Sequence, residues 1–226
     1  MLKQILAELA PSNTKLIAVS KTKPNEAILE LYNQGQRAFG ENYVQELVDK
    51  QTALPKDIEW HFIGHLQSNK VKYIAPFVHI IHSVDSFKLL QEINKQAAKN
   101  DRIIKVLLQF HIAEEASKFG FSVIASDEAT EGVEMIANEL AQSNLKNIDI
   151  CGVMGMATFT DDKAQVQREF QYLKQIFDEL KQKYFGDNQS FKEISMGMSD
   201  DYLLAIKHGS TMVRIGSLLF GKRIYV

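Results

Sequence analysis

The sequence predicts an α/β fold, a single-domain (β/α)8 barrel of the TIM type, from three observations. Eight short apolar runs suited to buried strands alternate with amphipathic stretches suited to helices along all 226 residues. Strands that alternate with helices pair in parallel through right-handed crossovers, and eight such units at this length fit a barrel. No linker-like tract divides the chain, so residues 1–226 are expected to form one domain. An open doubly wound sheet is the alternative, but the Gly-x-Gly-x-x-Gly signature of its dinucleotide-binding form does not follow the first run.

Each predicted strand is a mostly apolar run bounded by turn-forming or charged residues. The eight runs are Leu16–Ser20, Arg37–Gly40, Glu59–Ile63, His79–Val84, Ile103–Phe110, Ile148–Met154, Glu193–Met198 and Met212–Ile215.

The clearest helices are predicted from apolar residues spaced three and four apart and from residues typical of helix ends. One spans 162–184, one begins after Asp85 or Ser86 as its cap, one runs from Pro24 at the first helical position to Gly35, and one runs from Ser199 as its cap to Gly209.

Composition excludes several classes of function. The formal net charge is −2 and no basic stretch stands out, which argues against nucleic-acid binding. No apolar run approaches the length of a membrane span, and the first ten residues are too short and too charged for a signal peptide. The single Cys151 lies in an apolar run, so neither a disulfide framework nor a zinc pattern is indicated. We therefore expect a soluble, cytoplasmic protein.

In a barrel of this type, functional residues lie where strands end and helices begin. Lys21 directly follows the first predicted strand. Desolvation at such a position lowers the pKa of a lysine, and a neutral amine attacks an aldehyde to form an imine. The alternative is a lysine that only marks the exit of the strand into solvent.

The loops after the seventh and eighth strands suggest a phosphate site, because many barrels bind phosphate at these two positions. Ser199 offers a hydroxyl after the seventh strand, and Gly216 allows close backbone approach after the eighth. Ordinary helix capping by Ser199 and a tight turn at Gly216 are the alternatives.

Arg214 lies within the last predicted strand and shares parity with Met212. A buried strand excludes arginine unless the side chain has a partner. Arg214 therefore either forms a structural ion pair with a carboxylate on a neighbouring strand or points at a ligand acceptor inside the barrel mouth. Together with a phosphate site and Lys21, it suits pyridoxal phosphate, which presents a phosphate, a ring nitrogen and an aldehyde.

Five motifs, in the right order and spanning essentially the whole chain, resemble the pyridoxal phosphate homeostasis protein family. These motifs are Ala18-Val-Ser-Lys-Thr-Lys-Pro24, Phe39-Gly-Glu-Asn-Tyr-Val-Gln-Glu46, Trp60-His-Phe-Ile-Gly64 with Leu66-Gln-Ser-Asn-Lys70, Gly197-Met-Ser-Asp-Asp201 and Thr211-Met-Val-Arg-Ile-Gly216. The resemblance implies a fold type III barrel related to the N-terminal domain of alanine racemase, with pyridoxal 5′-phosphate as its cofactor.

The resemblance also implies roles for residues at matching positions. Lys21 would carry the cofactor as an imine (Schiff base), with Lys23 as the rival lysine, and Arg214 would face the pyridine nitrogen. The phosphate would be held by Ser199, by the backbone of Met198, and by Gly216 with Ser217. Asn42 would lie near the ring. Asn42 to Gln45 also fits a helix capping box. Members of the family often have asparagine where this chain has His111, so the role of the 111–121 loop stays open.

A carrier rather than an enzyme is expected. An arginine opposite the ring nitrogen does not readily yield a proton, because its pKa exceeds about 12, so the ring would be a weak electron sink. The resemblance to alanine racemase implies a second catalytic base, a tyrosine from a separate β domain of the partner subunit, and this chain stops at Val226, soon after the last strand. Tyr43, Tyr73 and Tyr202 would replace that base only by accident of position.

We therefore expect a pyridoxal phosphate-binding protein, monomeric and non-catalytic, that buffers, carries or delivers the cofactor, possible recipients being pyridoxal phosphate-dependent apoenzymes. A small amino-acid racemase or lyase using Lys21, and a cofactor-free phosphosugar enzyme, are the alternatives.

Two further groups of polar residues have simpler explanations. His61 with His65, and His79 with His82, lack carboxylates at a usual ligand spacing, so no metal site is expected. Asp200 and Asp201 are expected at the start of a helix, where its dipole favours acidic residues.

Overall fold

A computed structural model describes residues 1–114, 119–122 and 129–221, without the side chains of residues 129–131. The described strands are β1 (Lys15–Val19), β2 (Ala38–Glu41), β3 (Glu59–Phe62), β4 (Ile80–Val84), β5 (Ile104–His111), β6 (Phe121–Ser122), β7 (Ile148–Met154), β8 (Glu193–Ser195) and β9 (Met212–Ile215). The described helices are α1 (Leu2–Leu9), α2 (Asn25–Asn33), α3 (Val44–Ala53), α4 (Val71–Ile74), α5 (Phe87–Lys99), α6 (Ala129–Gln142), α7 (Lys163–Lys183), α8 (Tyr202–Lys207) and α9 (Ser217–Phe220).

The strands form a closed parallel barrel. Around the ring the order is β1, β2, β3, β4, β5, β7, β8 and β9, and both the β4–β5 and the β1–β9 pairings are parallel. The two-residue β6 pairs with β5 outside this ring. The predicted eight-stranded barrel is confirmed, and the open doubly wound sheet is excluded because the β4–β5 pairing closes the ring.

Alternation along each strand divides the apolar residues between two cores. The inner core fills the barrel and consists of Ile17, Ala38, Ile80, Leu107, Cys151, Met154 and Met212. The outer core lies between the strands and the helices, and Leu16 and Ala18 of β1 belong to it. Fully burying a large aliphatic side chain in such a core contributes about 1.5–3 kcal/mol.

One observed helix start follows a predicted cap residue, Ser86, and another lies at the predicted start of its segment, Asp162. The Asp162 carboxylate accepts hydrogen bonds from the N–H groups of Ala164 and Gln165, at 2.9 and 3.1 Å, and so caps α7. Ser86 is the cap of α5, because its Oγ accepts from the N–H of Leu89 at 3.4 Å. Helix α2 begins at Asn25, so Pro24 is the N-cap rather than the first helical residue.

The segment after β8 differs from the prediction. Strand β8 ends at Ser195 instead of Met198, because Gly197 takes a φ of +94° and leaves the extended conformation. Helix α8 begins at Tyr202, so the prediction of Ser199 as its cap is wrong. A turn intervenes, in which the N–H groups of Asp201 and Tyr202 donate to the Met198 carbonyl at 3.2 and 2.9 Å.

Among the helices of the described residues, none combines the length and the apolar character that crossing a membrane requires.

Candidate functional site

Most of the predicted site residues follow the carboxyl ends of four different strands, which meet at one mouth of the barrel because the strands are parallel, and Arg214 lies within the last of them, β9. Lys21 follows β1, whose pairing with β2 continues to Ser20 through a hydrogen bond from Ser20 N–H to the Gly40 carbonyl, 3.0 Å. Lys21 is half-buried and shares parity with Ile17 of the inner core. The next residue, Thr22, takes a left-handed φ of +62°.

A buried charged cluster fixes the turn that carries Lys21. Ser20 Oγ donates to the Glu41 carboxylate at 2.6 Å, and the Thr22 N–H donates to Glu46 at 2.6 Å. Lys50 joins these groups by donating to the Ser20 carbonyl, to Glu41 and to Glu46 at 2.7, 2.8 and 2.6 Å. Because an ammonium group has three donors, all of them are used here. Both neighbours of Lys21 are therefore held in place.

Lys23, the rival lysine, lies elsewhere in the structure. Its Nζ donates to the carbonyls of Phe220 and Gly221, at 3.0 and 3.5 Å, at the carboxyl end of α9. Cations are favoured at this end of a helix. Lys23 thus has a structural role, which favours Lys21 as the reactive amine.

Arg214 is buried among neutral acceptors. Its Nη1 donates to the carbonyl and to Oγ of Ser195, both at 2.7 Å, and its Nη2 donates to the Gly155 carbonyl at 3.0 Å. No carboxylate lies within ion-pair distance of it in the described part of the chain, so the alternative of a structural ion pair is wrong. Burial lowers the pKa of Arg214 to about 10, although the charge of Asp201 opposes the shift.

The guanidinium has five N–H groups, so the Nε–H and one Nη2–H remain beyond these three bonds. The structure therefore presents a buried cation with donors still available to a ligand acceptor.

Asn42 also fits a ligand. Helix α3 begins at Val44 with Tyr43 as its N-cap and no side-chain capping bond, so the predicted capping box is not formed. Asn42 Oδ1 is buried and has no hydrogen-bond partner among the described residues. A buried polar atom of this kind needs an explanation, and a ligand donor at the mouth would supply one. Gly64 packs against the same residue, since a Cβ at Gly64 would lie 2.3 Å from the Asn42 carbonyl oxygen.

The two predicted phosphate loops meet. Ser199 Oγ accepts a hydrogen bond from the Gly216 N–H at 3.4 Å. A Cβ at Gly216 would lie 3.2 Å from the carbonyl oxygen of Val19, so glycine allows this loop to approach the end of β1 closely. Ser217 is exposed and begins α9, whose first N–H groups lack partners within the helix.

The backbone N–H of Met198, which was predicted to bind the phosphate, already has a partner within the protein. Its N–H donates to Asp201 Oδ1 at 2.5 Å. Burial raises the pKa of this carboxyl group, while the hydrogen bond from Met198 opposes the shift. The predicted phosphate contact from the Met198 backbone remains a prediction. Asp201 ties the turn before α8 rather than capping the helix with its side chain.

Sequence reasoning missed the residues behind Arg214. Ser195 Oγ lies 2.9 Å from His82 Nδ1, and His82 Nε2 lies 2.8 Å from His61 Nδ1. All three residues are fully buried on strands β8, β4 and β3. The sequence did contain one indication of this group, because all three are polar residues inside runs that were predicted to be buried strands.

A second polar group occupies the amino-terminal ends of β3 and β4. Ligand atoms of Glu59, His61 and His79 lie within 4.8 Å of one another, so the expectation that no carboxylate accompanies these histidines is wrong. Glu59 Oε2, however, accepts from Lys15 Nζ at 2.6 Å. Because Lys15 already compensates the carboxylate charge, the group is poorly suited to a cation.

Residues 115–118 of the 111–121 loop lie outside the described residues. Of the rest, Phe119 stacks on His65 with ring centroids 3.9 Å apart. The Phe119 carbonyl accepts from Gln109 Nε2 at 2.7 Å. These contacts attach the described end of the loop to the rim of the mouth.

Comparison with known proteins gives consistent results. The family model described as alanine racemase, N-terminal domain, matches residues 2–223. The pyridoxal phosphate homeostasis protein of Aquifex aeolicus is 41% identical over 212 residues, covering 93% of this chain and 88% of the relative. That of Haemophilus influenzae is 41% identical over 217 residues, covering 95% and 87%.

Solved structures agree in fold. PipY of Synechococcus elongatus PCC7942, with pyridoxal phosphate bound, superposes with a TM-score of 0.83 at 37% identity, covering 97% of this chain and 98% of PipY. Alanine racemase from Streptomyces lavendulae gives a TM-score of 0.69 at 14% identity, covering 97% of this chain and 56% of the racemase. The second likeness concerns the fold alone.

Proposed function

This chain belongs to the pyridoxal phosphate homeostasis protein family, and on that premise we propose that it binds pyridoxal phosphate as an imine on Lys21. Its role is then to buffer, carry or deliver the cofactor inside the cell. The observation that carries this proposal is Arg214, a buried cation that is held by neutral acceptors and keeps donors for a ligand.

The residues of the mouth fit the three polar parts of the cofactor. Lys21 would take the aldehyde, and the remaining Arg214 donors would meet the pyridine nitrogen. Ser199 Oγ and the backbone N–H groups of Gly216 and Ser217 would hold the phosphate, with the backbone of Met198 contributing where Asp201 releases it. Asn42 Oδ1 would accept from the ligand near the ring. The pyridoxal phosphate bound to PipY supports this arrangement.

We propose that the protein is not an efficient racemase. With a pKa of about 10, Arg214 remains a cation at neutral pH and does not readily supply a proton to the ring nitrogen. Tyr202 is committed elsewhere, because its hydroxyl donates to Glu8 on α1, and burial with this bond raises the pKa of Tyr202 to about 12. Tyr43 and Tyr73 are exposed. Incubation with L-alanine followed by chiral chromatography should show no D-alanine above a protein-free control, and racemisation would contradict the proposal.

The proposal also covers the domain organisation, the location and oligomeric state of the protein, and the recipients of the cofactor. Residues 1–226 form one domain, which the single barrel and the family match over 2–223 support. The protein is a cytoplasmic monomer, and pyridoxal phosphate-dependent apoenzymes receive its cofactor. Transfer is measured by the activity gained when a cofactor-free enzyme is mixed with the loaded protein, against free cofactor at equal concentration.

Reduction with borohydride, followed by peptide mass spectrometry, tests the attachment site. The wild-type protein mixed with pyridoxal phosphate should gain imine absorbance and yield a modified peptide at Lys21. The Lys21→Ala variant should remain folded and lose both signals, whereas the matched control Lys23→Ala should keep them. Modification at Lys23 would transfer the role to that residue. A protein that gains no imine absorbance would favour the cofactor-free phosphosugar enzyme.

A further inference from the structure

Four buried side chains form a continuous hydrogen-bond relay across the barrel interior. Arg214 Nη1 donates to Ser195 Oγ at 2.7 Å, Ser195 Oγ lies 2.9 Å from His82 Nδ1, and His82 Nε2 lies 2.8 Å from His61 Nδ1. Arg214 is 4% exposed and the other three residues are 0% exposed. The relay connects β9 and β8 with β4 and β3 on another part of the ring.

The direction of every hydrogen bond in the relay follows from Arg214. A guanidinium only donates, so Ser195 Oγ accepts from it. Within the described residues, the one acceptor within reach of the Ser195 hydroxyl proton is His82 Nδ1. His82 must then carry its proton on Nε2 and donate it to His61 Nδ1. His61 in turn carries its proton on Nε2, which has no hydrogen-bond partner in the described structure.

This direction requires that both imidazoles are neutral, and their surroundings favour the neutral form. Burial lowers the pKa of His61 and of His82 well below the usual value, and for His82 the charge of Arg214 adds to the effect. The charged groups facing the pair from neighbouring strands are the cations Lys15 and Lys105 and the carboxylate of Glu59, which lies beside His61 and accepts from Lys15. His79 also faces the pair, and burial lowers its pKa.

A neutral His82 keeps the lone pairs of Ser195 Oγ turned toward the guanidinium. Without an acceptor at His82, the hydroxyl proton of Ser195 would lose its hydrogen-bond partner. The Ser195 side chain would then no longer be held in one rotamer. Arg214 would then keep only the carbonyls of Ser195 and Gly155 as fixed acceptors.

We propose that His82, supported by His61, is a positioning residue that orients Arg214 toward the pyridine nitrogen through Ser195. The inference rests on the proposed function for its ligand. The position of each proton, however, is a property of the protein itself and is testable without pyridoxal phosphate.

The first test is the tautomeric state of the wild-type protein without cofactor. Two-dimensional 1H–15N spectra of the histidine side chains at pH 7 should show Nε2–H tautomers for both His61 and His82. An Nδ1–H tautomer at His82 would overturn the proposal, because Ser195 would then have no acceptor for its proton.

The second test compares variants in pyridoxal phosphate titrations followed by absorbance. His82→Leu should weaken binding at least about tenfold, the factor that corresponds to one hydrogen bond to a charged group. His82→Gln offers both an acceptor and a donor, so it should stay within about threefold of wild type. His79→Leu is the matched control, since His79 lies beside His61 but outside the relay, and it should bind normally.

A double-mutant cycle separates an action through Arg214 from a general loss of packing. Arg214→Gln should weaken binding and shift the absorbance of the bound cofactor. Adding His82→Leu to it should then change the dissociation constant by less than about twofold. An equal loss from His82→Leu in both backgrounds, or wild-type binding by a folded His82→Leu protein, would overturn the proposal. A wild-type protein that forms no reducible imine would instead refute the proposed function.

Discussion

Acidification should destabilise this protein through its two buried imidazoles. In the folded state burial lowers the pKa of His61 and His82 well below 6.5, whereas the unfolded chain titrates near that value. The unfolded chain therefore binds protons first. The stability is fully present above pH 6.5 and is lost as the pH falls through 6.5 toward the folded-state values. Each pH unit below 6.5 over which an imidazole stays neutral in the folded protein removes roughly 1 kcal/mol from the free energy of unfolding, so the pair should remove roughly 2–3 kcal/mol by pH 5.5.

Urea unfolding at pH 7.5, 6.5 and 5.5 measures this loss. Trp60, the only tryptophan, is buried on β3 next to His61 and reports unfolding by fluorescence. The His82→Gln variant removes one titrating group, so its loss of stability between pH 7.5 and 5.5 should be smaller by roughly 1 kcal/mol. Parallel pH dependence of the two proteins would refute the assignment of a neutral, buried His82.

Three substitutions test other parts of the structure. Ser199→Ala should weaken pyridoxal phosphate binding by about 1–3 kcal/mol in an absorbance titration, and an unchanged dissociation constant would remove its hydroxyl from the phosphate site. Gly216→Ala should cost about 1–3 kcal/mol of unfolding free energy, measured with urea, because its Cβ crowds the end of β1. Lys50→Met should cost about 3–5 kcal/mol by leaving the Glu41 carboxylate buried without a cation, whereas the exposed Lys56→Met should cost little.

The sequence predicted well whatever depends on local pattern. The strand runs alternate or stay apolar because each strand is buried on one or both faces, and the boundaries of β7 and β9 were correct to the residue. The position of Lys21 at the mouth followed from the same pattern, because the carboxyl ends of all strands of a parallel barrel lie at one mouth.

Predictions failed where a distant residue decides the local structure. Ser199 looked like a helix cap, but its hydroxyl accepts from Gly216, and Asp201 bonds to the Met198 N–H ahead of the helix. Asn42 looked like part of a capping box, but its Oδ1 has no partner at the start of α3.

The histidines were misjudged for the same reason. His61 and His82 stand 21 residues apart and meet because β3 pairs with β4, whereas His82 and Ser195 stand 113 apart and meet only because the barrel closes. Spacing along the sequence carries no trace of such a contact.

The left-handed backbone at Thr22 bears on the cost of binding and releasing pyridoxal phosphate under the proposed function. A β-branched residue in that region is strained, and here its N–H is held by Glu46 while the preceding turn is held by Lys50. The turn that carries Lys21, the proposed attachment point, is thus held in place by the protein before any ligand arrives. Under the proposed function, this turn would add no ordering cost on loading, and release of the ligand to an acceptor would not require the turn to rearrange.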